Sequence, residues 1–201
     1  STIFMPLHIW ESFSFWEKCF FSRLAGKGYA GPTTKFDCIR RDIYGKIGGF
    51  DTINFGVGGE DMDLAQKISA LGKFELSSAH VTHLHYLGDD FTLQDLLVKK
   101  KQYAMIYGRL LRKRPEDFFG KSIILLMKPA LVLLLFLPKL TILGLGFMII
   151  YAFLITGKMF TTKSTLLDPR IFLLPFINIF FIFYETYWIV HSYFFGKGVR
   201  V

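Results

Sequence analysis

Two long apolar segments near the C-terminus constrain the fold of this chain most. Residues 122–156 and 171–195 carry few charged residues, and one crossing of a bilayer requires about 20 apolar residues. The first segment has room for one long span or for two short spans that break near Pro138 and Lys139, and the second has room for one span. The sequence therefore predicts a multi-pass membrane protein.

The rest of the chain has the opposite character. Of its 201 residues 52% are hydrophobic and 20% are charged, and most of the charge precedes residue 122. Because polar and apolar residues are separated along the chain, we expect a polar domain at residues 1–116 and a transmembrane region at residues 117–201.

A basic cluster precedes the first apolar segment and predicts the orientation. The positive-inside rule places such a cluster, and with it the polar domain, on the cytoplasmic face. The net charge of +8 favours a membrane partner with anionic lipid headgroups, or a lipid-phosphate acceptor bound by the same charges. The adjoining spans argue against nucleic acid. The cluster consists of Lys99, Lys100, Lys101, Arg109, Arg112, Lys113, Arg114 and Lys121.

Two acidic residues stand at the start of a predicted helix that ends at Gly72. Glu60 and Asp61 follow Gly58 and Gly59 directly. Acids in a first helical turn are favoured by the helix dipole and bind free N–H groups, and this is our interpretation of Asp63. The alternative for Glu60 and Asp61 is a catalytic carboxylate, held rigidly at the mouth of the helix.

Three segments occur in an order that resembles a known family. They read "IRRDIYGKIGGFD", "GGEDMDLAQKISALGK" and "HVTHLH", and together they resemble the acceptor-side half of a family 2 glycosyltransferase over roughly residues 30–115. The resemblance implies an α/β fold, namely a partial GT-A domain of the nucleotide-diphospho-sugar transferase type, followed by α-helical transmembrane segments.

The resemblance also implies roles for individual residues. Asp61 matches the general base that removes a proton from the acceptor hydroxyl, and Glu60 matches the residue that orients the acceptor or the base. Gly58 and Gly59 let the backbone approach the substrate closely. Arg40 and Arg41 match a region that lines the donor or acceptor pocket.

A divalent metal, Mn or Mg, is the cofactor that the resemblance implies. His85, with His83 as the second choice, matches a histidine that contacts the metal or the diphosphate. Most of the metal site is expected outside these residues, because the sugar-nucleotide half and its Asp-x-Asp motif have no counterpart here. We therefore expect an N-terminally truncated fragment that is inactive alone.

The expected activity is inverting transfer of one sugar from a nucleotide-sugar donor to a lipid-linked or glycan acceptor, as in polysaccharide biosynthesis. Single addition is expected because "QYAMIYG", from Gln102, lacks the Arg-Trp of the Gln-x-x-Arg-Trp motif in processive members. The alternative is a membrane-anchored, non-catalytic scaffold or binding module.

Overall fold

A computed structural model gives the fold of the chain. It describes residues 2–4, 10, 13–21, 28–30, 38–55, 59–72, 75, 80–82, 91–113, 115, 126–157 and 163–196. The chain forms two compact units. The first comprises Ser1–Trp10, Leu24–Tyr86 and Lys197–Val201, and the second comprises Glu11–Arg23 and Leu87–Gly196.

The first unit contains a small mixed sheet of three strands, β1 (Thr2–Phe4), β2 (Gly28–Ala30) and β3 (His80–Thr82). The central strand β1 pairs antiparallel with β2, with Ile3 opposite Tyr29, and parallel with β3, with Ile3 opposite Val81. Strand β3 lies within the segment 73–85, which the sequence predicts as a strand.

Three helices complete the described part of this unit: α2 (Arg41–Lys46), α3 (Thr52–Phe55) and α4 (Glu60–Ala70). Glycines end α2 and α4 where the sequence predicts it, since Gly48, Gly49 and Gly72 have φ angles of 73°, 61° and 110°, which glycine adopts without strain. Residues 52–55 are predicted as a loop but form a helical turn, because the Asp51 carboxylate accepts a bond of 3.0 Å from the Asn54 amide.

The predicted α/β fold, a partial GT-A domain, is wrong. Most of the described residues lie in helices, and the described strands have three residues each. A buried parallel sheet needs strands of about five or six residues joined by crossovers. In the described residues, two of the segments that carried the resemblance form a short helix with its glycine turn and the helix α4, and the third contributes the three-residue strand β3. Such local features occur in many folds and do not determine a sheet of the predicted kind.

The second unit is helical. Its helices are α1 (Phe15–Phe21), α5 (Leu93–Lys113), α6 (Met127–Leu135), α7 (Thr141–Thr156), α8 (Lys163–Leu166) and α9 (Leu174–Phe195), with a 3₁₀ turn at Pro169–Leu173. Two of them begin with reciprocal caps between a hydroxyl residue and an acid three positions later, which are Ser14 with Glu17 in α1 and Thr92 with Asp95 in α5.

Helices α5 and α9 pack side by side and run in the same direction. Leu96 lies in a hydrophobic cluster with Phe181, Lys100 pairs with Glu185, and Arg112 donates to the carbonyl oxygen of Gly196. The difference in residue number between the two members of each of these three pairs is nearly constant, at 84 or 85. The two helices are therefore in contact along almost the whole length of α5.

Helices α6 and α7 form a hairpin that breaks at Pro138, as one of the two sequence interpretations predicts. They contain 9 and 16 residues, fewer than a crossing requires. Pro169–Phe195, which includes α9, has 27 residues and is long and apolar enough to cross a membrane by length and composition. The predicted domain boundary at residue 116 is compositional and stays a prediction.

Candidate functional site

The acid pair of the sequence lies at the mouth of α4. Gly59, which precedes the helix, has φ of 101° and ψ of −15°, a conformation that favours glycine. Glu60 and Asp61 are both partly exposed, and an Oδ1 atom of Asp61 accepts a bond of 2.8 Å from the Met62 amide. The Asp61 carboxylate is thus oriented by its own helix and still reaches solvent. Gly58 lies outside the described residues.

Asp63 has a structural role, as the sequence predicts. Its side chain is fully buried and pairs with Lys67 at 2.9 Å, one helical turn later. Lys67 also donates to the carbonyl oxygen of Gly49 at 2.9 Å. Lys67 therefore attaches α4 to the glycine turn after α2 and holds the helix mouth in place. Spacing of i and i+4 is the signal by which the sequence could have revealed this pair.

The two predicted pocket arginines are exposed at the start of α2. Arg40 forms a two-bond ion pair with Asp42, with distances of 3.1 and 2.7 Å. The hydrogen bond from Arg40 lowers the pKa of Asp42. Arg40 and Asp61 both lie in the part of the chain that the structure describes, and no hydrogen bond or ion pair joins them. Arg40 therefore has a local partner in this structure, and both arginines stay predicted substrate contacts.

The sequence predicts a metal site, but the described part of the chain contains no cluster of possible metal ligands. No three His, Cys, Asp or Glu side chains come together there in a way that could hold a metal ion. His83 and His85, the predicted ligands, lie outside the described residues. The divalent metal therefore stays a prediction of the sequence.

A buried ionic cluster lies in the second unit. Glu185 of α9 is 6% exposed and pairs with Lys100 of α5 at 3.4 Å and with Lys128 of α6. Charges removed from water need such partners, because the cost of desolvating an isolated ion is several kcal/mol. Lys128 and Glu185 both come from the two long apolar segments of the sequence, where a charged side chain needs such a partner. Lys100 was not foreseen as a partner, since 85 positions separate it from Glu185.

Other members of the basic cluster also bind α9. The Nζ atom of Lys101 lies 3.8 Å from the centre of the Trp188 ring, a cation–π contact. Arg112 donates to the carbonyl oxygens of Tyr193 and Gly196 at 3.4 and 2.6 Å, at the negative end of the α9 dipole. Charges that the sequence assigned to lipid headgroups thus hold two helices together.

Comparisons with known proteins give no relative. No family model, no curated protein and no solved structure matches this chain. The resemblance to family 2 glycosyltransferases is therefore wrong as an assignment, and with it the description of the chain as a GT-A enzyme of that family. The three segments that suggested it are short, and the fold around them differs from the one they implied.

Proposed function

We propose that the chain is part of a membrane-attached enzyme that transfers a sugar from a nucleotide-sugar donor to a lipid-linked or glycan acceptor. The observation that supports this is the acid pair at the mouth of α4, where Asp61 is oriented, partly exposed and preceded by a glycine. The donor and acceptor classes are those that the sequence led us to expect, and the Asp61 carboxylate is the group in the described residues that could perform the transfer.

Asp61 acts as the general base in this proposal. Its carboxylate takes the proton of the acceptor hydroxyl, the hydroxyl oxygen bonds to the anomeric carbon, and the bond from that carbon to the nucleoside diphosphate breaks. A base must lie within hydrogen-bond reach of the proton that it removes, and a carboxylate held by Met62 at 2.8 Å loses little orientational freedom. Glu60 is the neighbouring group that orients the acceptor.

The membrane attachment has two supports. Pro169–Phe195 is long and apolar enough to cross a bilayer, and the excess of basic residues before residue 122 favours the cytoplasmic side for the polar part. We include the cytoplasmic side in the proposal. Multi-pass insertion stays a prediction of the sequence.

A second candidate is a membrane-bound scaffold without catalytic activity. The bond from the Met62 amide to Asp61 favours it, because a carboxylate that binds a free N–H group at a helix start has a sufficient structural role.

Asp61→Asn separates these candidates. Asparagine keeps an oxygen that accepts the bond from Met62 and removes only the charge and the basicity. We expect a loss of sugar transfer of about 100-fold or more, measured as incorporation from a panel of labelled nucleotide sugars into lipid extracts of membranes that contain the protein.

Glu60→Gln is the matched control, for which we expect a smaller loss, seen mainly in the dependence of the rate on acceptor concentration. Far-ultraviolet circular dichroism of both variants checks that α4 is intact. Undiminished transfer by Asp61→Asn, or no transfer by the unaltered protein with any donor, would favour the scaffold.

A further inference from the structure

In the second unit, polar and apolar exposed surfaces belong to different helices. They do not alternate between the middle and the ends of each helix. In a bundle that crosses a membrane, each helix is apolar at mid-depth and polar at its ends. Here α5 exposes mainly polar residues from its first turn to Gln102 near its middle, whereas α7 and α9 expose apolar residues along their length. This distribution of polar and apolar surfaces indicates how the helices are oriented relative to the membrane plane.

The outer side of α5 belongs in water. Its exposed residues other than Arg112, which binds the end of α9, lie between the first turn and the middle of the helix. They are Gln94, Asp95 and Gln102, with Val98 as the one apolar exception.

The exposed side of α9 is entirely apolar or aromatic. We use the name aromatic stripe for six exposed residues three or four positions apart, which therefore lie on one side of the helix. The residues that contact α5 are Phe181, Glu185, Trp188 and Ser192. At about 100° per residue they lie on the side opposite the stripe. The aromatic stripe consists of Phe176, Phe180, Phe183, Tyr187, Val190 and Phe194.

Helix α7 is exposed on most of its circumference and is apolar there. Every fourth residue is buried, namely Gly144, Met148, Ala152 and Thr156. The exposed residues between them are all large and hydrophobic, so an acyl environment suits this helix and water does not. They are Ile142, Leu143, Leu145, Phe147, Ile149, Ile150, Phe153 and Leu154.

A crossing by α9 conflicts with its pairing to α5. The middle of α9 is Glu185, which pairs with Lys100, so a perpendicular α9 would place Lys99, Lys100 and Lys101 near the bilayer centre. Placing a charged residue at that depth is energetically unfavourable. Gln102, which is exposed, would face lipid at the same depth. Among the described residues, Glu185 and Phe181 contact Lys100 and Trp188 contacts Lys101.

We propose that α5 and α9 lie together in the plane of a membrane surface, with the outer side of α5 in water and with the aromatic stripe and the α6–α7 hairpin in the acyl chains of one leaflet. The occupant of the apolar surface is the lipid of that leaflet. Arg112 and the partly exposed Lys99 and Lys101 then lie at the depth of anionic headgroups, which gives charge complementarity. This attachment rests on the membrane location in the proposed function and not on sugar transfer.

The sides of the membrane on which the two ends of α9 lie distinguish a helix in the membrane plane from a helix that crosses the membrane. In the plane of the membrane both ends lie on one side, whereas in a crossing they lie on opposite sides. Leu167 precedes the helix and Phe195 is its last residue, and both are exposed. The test uses the variants Leu167→Cys and Phe195→Cys. Each substitution is made in a chain that also carries Cys19→Ser and Cys38→Ser. A membrane-impermeant maleimide is applied to sealed vesicles from cells that express the chain, before and after detergent.

We expect both cysteines to be labelled, or both to be protected until detergent is added. Labelling of one and protection of the other would overturn the proposal. Because this measurement does not use enzymatic activity, it can fail while Asp61→Asn still abolishes transfer, and the reverse also holds.

Gln102→Cys gives a second readout that does not depend on the side of the membrane. N-ethylmaleimide crosses membranes but reacts with thiolate, which forms in water. We expect Gln102→Cys to react within about tenfold of the rate of Phe195→Cys and Ile150→Cys to react about 100-fold more slowly. Equal protection of Gln102→Cys and Ile150→Cys would place α5 in hydrocarbon and overturn the proposal.

Discussion

At the scale of single residues, the structure gives different surroundings to two acids that stand two positions apart, Asp61 and Asp63. Asp61 is partly exposed and bonded to the next amide, whereas Asp63 is fully buried and paired with Lys67. The helical turn accounts for the difference, since positions two apart differ by about 200° around the axis. A carboxylate that faces solvent is available to a substrate, and one in the core is not.

The two cysteines allow a direct test of burial. Cys19 is packed in α1, where burial raises the pKa of its thiol to about 12, and Cys38 is exposed. A thiol with a raised pKa stays neutral at pH 8 and is a poor nucleophile. We expect maleimide to label the Cys19→Ser variant, which retains Cys38, about 100-fold faster than the Cys38→Ser variant. In sodium dodecyl sulfate the two rates should converge, and equal rates in the folded protein would contradict the packing of α1.

Asp95 makes the stability of the second unit depend on pH. Hydrogen bonds from the Thr92 hydroxyl and amide lower the pKa of Asp95. A lowered folded-state pKa contributes stability above the unfolded-state pKa of about 3.9, and this contribution is lost as the pH falls through the folded-state value. We expect Asp95→Asn to lower the melting temperature at pH 6 and to have a smaller effect at pH 3.

Gln94→Ala is the matched control, because Gln94 is an exposed neighbour in the same turn and carries no titrating group. Its effect on the melting temperature, followed by circular dichroism in detergent, should be the same at both pH values. A difference between wild type and Asp95→Asn that does not change with pH would show that the cap acts without its charge.

At the scale of elements, the contact between α5 and α9 depends on one glycine. A Cβ atom at Gly108 would lie 2.0 Å from the hydroxyl oxygen of Ser192 and 2.3 Å from the carbonyl oxygen of Ile189. The second atom belongs to the backbone and cannot rotate away. The two helices therefore approach closely only because position 108 has no side chain.

Gly108→Ala should lower the free energy of unfolding of the second unit by about 1–3 kcal/mol, the usual cost of overpacking. Gly146→Ala is the matched control, since a Cβ atom there meets nothing within 4 Å. It should raise stability by about 0.5–1 kcal/mol because alanine favours the helix. Thermal unfolding in detergent measures both, and equal stability of the two variants would contradict the close approach.

At the scale of the whole molecule, the chain divides into two units of different composition. The first contains the acid pair, the glycine turns and the small sheet, and the second contains α5 and the apolar helices. Segment 11–23 belongs to the second unit although it precedes most of the first. A division of the sequence by polarity at residue 116 does not reveal this, because α1 and α5 are amphipathic and pack with apolar partners.

The sequence by itself determined the local features of this protein. The helix from Glu60, its end at Gly72, the helix over 92–116, the break at Pro138 and the apolar run before Phe195 all follow from periodicity and from glycine and proline, which act within a few residues.

The tertiary structure alone decided the fold class, the partners of Lys100 and Arg112 and the parallel packing of α5 on α9. Those depend on contacts between residues more than 80 positions apart, and no local pattern encodes them. The same limit explains the misleading resemblance, since turns and helix starts are local features that unrelated folds share.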